Sequence, residues 1–133
     1  MSQETIDLLH QTFDAFNRRD LDAFLALCDP DVEFISYLMQ VEGGEPYRGH
    51  GGVRSWWERL LAVYPDFRAE IEVVRDLGDM TIARVRGHGR GVESDAPIHQ
   101  SIWQVARVRH GKVIWWSFVG TEAAAREAAG LRD

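Results

Sequence analysis

The sequence predicts an α+β fold: a cone-shaped α+β barrel in which three helices from the first half pack on a strongly curved, mostly antiparallel sheet, with a short helix at the C-terminus. Three observations carry this reading. Residues 3–28 and 49–64 place apolar side chains at helical spacing. Residues 67–120 alternate apolar and polar side chains in long runs broken by turn residues. The helices come first and the strands later, which is the order of an α+β rather than an alternating α/β protein. With 133 residues the chain is expected to form one domain, 1–133.

The first helix is expected over Gln3–Arg18, with Ser2 as its N-cap and Ile6, Leu9, Phe13 and Phe16 as its apolar stripe. Asp20 should cap a second helix that turns Leu21, Phe24, Leu25 and Cys28 inward, and Asp29-Pro30 should stop it. A strand follows over 31–41, with Val32, Phe34, Ser36 and Leu38 on one face. Gly49-His50-Gly51-Gly52 leads into a third helix, Val53 to Tyr64, whose broad apolar face carries Trp56 and Trp57. Four strands are expected over 67–77, 81–91, 97–109 and 112–120, turning at Gly78-Asp79 and His110-Gly111, before an alanine-rich helix over 121–129. Strands this long must twist, and Gly87, Gly89 and Gly91 would let them bend. A bent sheet closed by helices makes a cone with a mouth.

Composition narrows the partners. A formal charge of −6 and a pI near 5.3 argue against nucleic acid or an anionic membrane surface. The single cysteine, Cys28, allows no intrachain disulfide. Five scattered histidines form no metal motif, so neither a metal nor another cofactor is expected. No apolar run reaches the roughly 18 residues of a membrane span. The acidic Met-Ser-Gln-Glu-Thr start is unlike a signal peptide, so a cytoplasmic location is expected.

Phe13-Asp14-Ala15-Phe16-Asn17-Arg18-Arg19-Asp20-Leu21-Asp22-Ala23-Phe24 resembles the opening of a SnoaL-like domain, as do Asp29-Pro30-Asp31-Val32-Glu33-Phe34 and the Tyr47–Trp57 segment. The turn His110-Gly111-Lys112-Val113 completes the pattern. The resemblance covers nearly the whole chain and implies the cone fold of the nuclear-transport-factor-2-like superfamily, home to ketosteroid isomerase and polyketide cyclases. Fold does not fix the reaction. The resemblance puts the three polar positions of ketosteroid isomerase at Thr12, Ser36 and Gln104, and none matches in chemistry. That isomerase mechanism is therefore not expected.

His99, with Asp95 near it in sequence, and His50 are the acid–base candidates, because an imidazole titrates near neutral pH. His99 and Gln104 are five apart, so a regular strand cannot turn both inward. Counting from the His110 turn favours Gln100, Ile102 and Gln104 inside, the two glutamines as polar handles for a ligand or bound water, with a hydrogen bond to Ser36 or Thr12 as their structural alternative. His99, Ser101 and Trp103 inside is the other register. The family register puts Trp116 and Phe118 inside. With Thr12, Phe16, Ser36, Leu38, Trp56 and Trp57, these residues form the candidate ligand-binding set. Trp103 and Trp115 would then lie on the outer sheet face, an apolar patch that suggests a homodimer. Two functions are expected: an isomerase-, cyclase- or dehydratase-type proton-transfer enzyme for a small apolar, carbonyl-bearing molecule, or a non-catalytic binding or dimerisation module. An interior filled by Trp57, Trp116 and Phe118 would make the domain purely structural.

Overall fold

The structure, a computed structural model, describes residues 2–36, 45–90 and 97–130, leaving aside the side chains at 2, 90 and 97–101. The first amphipathic run forms helix α1, Ser2–Asn17, and the capped run after it forms α2, Leu21–Ala26. Strand β1 is Cys28–Ile35, β2 is Tyr47–Arg48, and helix α3 is Gly49–Val63. Then come β3, Arg68–Asp76, β4, Met80–Arg90, β5, Pro97–Arg109, and β6, Lys112–Val119, with helix α4, Glu122–Ala128, last. The strands form one curved sheet in the order β2-β1-β6-β5-β4-β3. Every neighbouring pair is antiparallel except β1 with β6.

The turns follow their residues. Asp20 accepts a hydrogen bond from Ala23 N at 3.0 Å, as an N-cap should. His110 and Gly111 both have positive φ, 54° and 73°, so the β5–β6 hairpin closes on a two-residue turn whose twist matches its strands. Gly78, at φ 93°, turns β3 into β4 while Asp76 accepts its N–H at 2.9 Å.

Four elements depart from the expected boundaries. Helix α2 ends at Ala26, before Asp29-Pro30, because Lys112 Nζ and Val113 N take the carbonyls of Ala26 and Leu27 into contact with β6. Pro30 instead lies inside β1, in the stretch between Cys28 and Glu33 where the register with β6 shifts, a place where a missing N–H is tolerated. Helix α3 starts four residues early, at Gly49, although glycines are poor helix formers. The His50 ring Nε2–H donates to the Cys28 carbonyl at 2.9 Å and ties that first turn to β1. The two-residue strand β2 was too short to read from the sequence; Arg48 is paired with Glu33 at 2.7 Å on β1. The buried face of α1 is also rotated. It presents Leu8, Leu9, Thr12, Ala15 and Phe16, while Ile6 and Phe13 are half-buried.

Helix α1 lies across the concave face of the sheet, and its C-terminal end is pinned. Asn17 Nδ2 donates to the Ala69 carbonyl at 2.8 Å, and Ala69 N donates back to Asn17 Oδ1 at 3.0 Å. The amide thus imitates a neighbouring strand at the exposed edge β3. Arg19, at φ 62°, donates to the carbonyls of Phe16, Pro65 and Phe67 and stacks over the Phe16 ring. Burial and then Arg68 pull its pKa below the usual guanidinium value, against the pull of Asp66.

The core has two sides. On the concave side Phe16, Phe24, Phe34, Trp57 and Trp116 pack with Val32, Val53 and Ala106. On the outer side α4 covers Met80, Ile82, Val105 and Val119 through Ala125. Gly87 and Gly89 make room for Phe67. A Cβ on Gly87 would fall 2.7 Å from Phe67 Cζ, and one on Gly89 3.3 Å from Phe67 Cα. Gly91 lies outside the described residues. Cys28 is fully buried, with its thiol donating to the Phe24 carbonyl at 3.5 Å. Burial pushes its pKa up to about 12, and Lys112 only partly opposes this.

Two outcomes are expected. Asn17→Ala should lower the unfolding free energy by about 1–3 kcal/mol in urea titrations, because it strands a backbone donor and acceptor of β3. An Asn17→Ala curve that overlays the wild type would show that the amide contributes nothing. The Cys28 thiol stays neutral in the folded chain above the ordinary value of 9, where the unfolded thiol ionises. Stability should therefore fall as pH rises from 9 toward 12, by about 1.4 kcal/mol per unit at most. Cys28→Ala should flatten that part of the pH profile.

Candidate functional site

The interior polar groups are set by strand parity. The β4–β5 ladder runs from Met80–Arg107 to Arg90–Pro97 with no register shift. Positions 100, 102 and 104 therefore share one parity and positions 99, 101 and 103 the other. Gln104 lies opposite Ala83 on β4 and Phe118 on β6, and is fully buried. The expected inward register for Gln104 is the one the chain adopts. The backbone of His99 pairs with His88 and that of Gln100 with Gly87, and the side chains of both lie outside the described ones. Leu38 also lies outside the described residues.

Neither Oε1 nor Nε2 of Gln104 has a hydrogen-bond partner among the described residues. The two partners suggested by the sequence are otherwise occupied. Thr12 is fully buried and its Oγ1 donates to the Leu9 carbonyl at 2.6 Å, and Ser36, half-buried, makes a contact of its own within the fold. Trp116 is likewise buried with its Nε1–H unpartnered, as is the hydroxyl of Thr81. Thr81 and Trp116 both stand opposite Ala106 on β5, one on each side. Gln104 is thus the diagonal neighbour of both, at the ~7–8 Å Cα spacing of such pairs. Thr81 is the residue that the sequence reading missed. Extending the inward parity of β4 from Val85 through Ala83 to Thr81 would have found it.

The aromatic candidates divide into two groups. Phe16, Trp57 and Trp116 are deep in the ring cluster. Phe16 and Phe24 meet Trp57 edge-on at 4.9 and 5.2 Å, and Phe24 stacks on Trp116 at 5.4 Å. These three act first as core. Trp56 and Phe118 are half-buried, at 4.5 and 5.4 Å from Phe34, and form the accessible border of the cluster. His50, half-buried, commits its Nε2–H to the Cys28 carbonyl, which favours its role as a tie between α3 and β1. His10 and His110 are exposed, and His88 sits 3.7 Å from Glu70, beside the Arg84–Glu72 and Arg86–Glu72 pairs.

Trp103 and Trp115 do lie on the outer sheet face, but they do not form an open patch. Both are half-buried and pack against the cluster of Met80, Ile82, Val105, Val119 and Ala125. The large apolar side chains described as exposed are Val63, Val73 and Leu77. Helix α4 shares that face through Ala125. Among the described residues no cluster of three or more His, Cys, Asp or Glu could hold a metal ion, and no helix is long and apolar enough to cross a membrane.

The chain is an α+β protein: one curved six-stranded sheet with helices packed on both of its faces. The SnoaL-like domain model matches residues 9–116, and the chain belongs to that family. The solved structures agree in fold. A nuclear-transport-factor-2-like protein of unknown function from Burkholderia pseudomallei has 19% identity and a TM-score of 0.78, over 93% of this chain and 95% of that one. TerC, co-crystallised with polyporic acid, has 19% identity and a TM-score of 0.78, over 93% and 96%. IdmH, a proposed polyketide cyclase from Streptomyces antibioticus, has 22% identity and a TM-score of 0.75, over 94% and 97%. No curated protein matches the chain.

An unpartnered buried amide costs about 1–3 kcal/mol. Gln104→Leu, close in volume, should therefore raise the stability of the ligand-free chain by about that amount in urea denaturation. Destabilisation instead would mean that the fold itself uses the amide.

Proposed function

We propose that this chain takes a small, largely apolar, carbonyl-bearing molecule into the space bordered by Trp56, Phe118 and Gln104 and promotes a cyclase- or isomerase-type rearrangement of it. The observation that carries this reading is Gln104: a fully buried amide with neither of its polar atoms partnered among the described residues, on the sheet face it shares with the Trp116 indole, which is also without a partner there. A folded chain keeps such groups where a ligand or bound water completes them, so they mark a site. Membership of the SnoaL-like family and the fold shared with a proposed polyketide cyclase support it.

The chemistry follows from the donors. When a ketone loses an α-proton, negative charge collects on its oxygen. The Nε2–H of Gln104 and the Nε1–H of Trp116 are fixed dipoles in a dry setting, where they stabilise developing charge better than water does. The aromatic border holds the apolar body of the molecule and limits its orientations. His99 stands at the opposite parity to Gln104 on this unshifted ladder, so the proton transfer is not assigned to it.

The second reading, binding without chemistry, has its own observation. The fully buried polar side chains described are threonines, a serine and Gln104, with no carboxylate among them. Amides and hydroxyls orient a ligand but do not take its proton at neutral pH.

Calorimetry and proton exchange separate the two. The wild-type chain should bind 2-acetonaphthone with a dissociation constant of about 10⁻⁴ M or lower, and Trp56→Ala should weaken it about tenfold. In D₂O, NMR should show its methyl protons exchanging faster with the protein than in buffer. Binding with exchange at the buffer rate would give the second reading; no binding by the wild type would overturn both.

A further inference from the structure

We infer that the concave-face site is built for a neutral molecule whose polar edge carries a hydrogen-bond donor beside an acceptor, such as a lactam, a primary carboxamide or an enolised 1,3-dicarbonyl. The inference rests on the binding reading above and goes further by fixing the chemistry of the occupant. It comes from counting what each unpartnered atom requires.

Trp116 Nε1–H can only donate, so the occupant must present an acceptor there. Gln104 Nε2 donates and needs a second acceptor or a shared one. Gln104 Oε1 only accepts, so the occupant must also carry a donor. The Thr81 hydroxyl can serve either way. A hydrocarbon leaves all four atoms stranded. A simple ketone satisfies the donors and leaves Oε1 buried without a proton. A group with N–H or O–H next to C=O pairs head-to-tail with the Gln104 amide and completes both of its atoms.

The surroundings agree with this edge. Gln104 has alanines on two sides, Ala83 opposite on β4 and Ala106 two residues along β5. Neither methyl group can hydrogen-bond, so the strand neighbours of the amide leave both of its polar atoms without a partner. The fully buried polar side chains described carry no formal charge. A carboxylate or ammonium placed beside them would lose its hydration without gaining a counter-charge, which disfavours ionised ligands. The border rings Trp56 and Phe118 suit a flat apolar body behind the polar edge.

Four probes that share one ring system test the inference on the full chain by isothermal titration calorimetry: 2-naphthamide, 2-acetonaphthone, naphthalene and 2-naphthoate. The wild type should bind the carboxamide about tenfold more tightly than the ketone, the difference one added buried hydrogen bond makes, and the naphthoate most weakly. Gln104→Leu should bring carboxamide and ketone within about threefold of each other. Trp116→Phe, which removes only the indole donor, should weaken both alike and preserve their ratio. Equal binding of carboxamide and ketone by the wild type would overturn the inference while leaving the binding reading in place, and would assign Gln104 to ordered water. So would a preference that survives in Gln104→Leu, or naphthoate binding tightest. No binding of any probe would sink the binding reading itself.

Discussion

The two side chains that end α1 decide whether this molecule has an interior. A helix laid across a concave sheet could slide or swing, and its apolar stripe alone would not fix its height. Asn17 joins the ladder of β3 as though it were another strand, and Arg19 gathers three carbonyls from the helix end and from the loop before β3. Directional bonds thereby set what non-directional burial leaves loose. With α1 held, Thr12 and Phe16 roof the sheet, Phe67 fits against Gly87, and water is kept from Gln104.

The interior is layered by accessibility. Phe24, Trp57 and Trp116 interlock as a floor, with ring separations typical of edge and offset contacts. Trp56 and Phe118 stand partly open above it. Polar atoms without partners lie along the middle strands of the sheet, not at its rim. A protein selected for stability alone would put leucine or methionine in those positions. Keeping an amide there lowers the stability of the empty chain and raises its selectivity for whatever completes it.

Periodicity and turn chemistry made most of this fold legible. The β4, β5 and β6 boundaries, the His110-Gly111 turn and the Asp20 cap follow from local sequence, and parity placed Gln104 and Trp116 correctly. The misreadings share a cause: contacts between residues distant in sequence. Pro30 looked like a helix stop, but the chain had already been drawn out at Leu27 by β6. Gly49-His50-Gly51-Gly52 looked like a loop until His50 found the carbonyl of Cys28. Nothing local reveals that α4 packs through Ala125 on the sheet face that carries the outer tryptophans. Thr81 was invisible because a threonine in a strand is ordinary; only its missing partner sets it apart.

The parallel pairing of β1 with β6 has a consequence for how the chain comes into being. Cys28 and Val113 are register partners, yet 84 of the 133 residues lie between them. As a ribosome releases the polypeptide, the early helices and β1 emerge long before the strand that β1 must lie beside. Joining such remote partners pays its closure entropy late, and it slows maturation relative to a chain of local hairpins. The β3–β6 meander can assemble as each turn emerges, so the N-terminal third is the piece that waits. During that interval its apolar surface is open to aggregation or to a chaperone's grip.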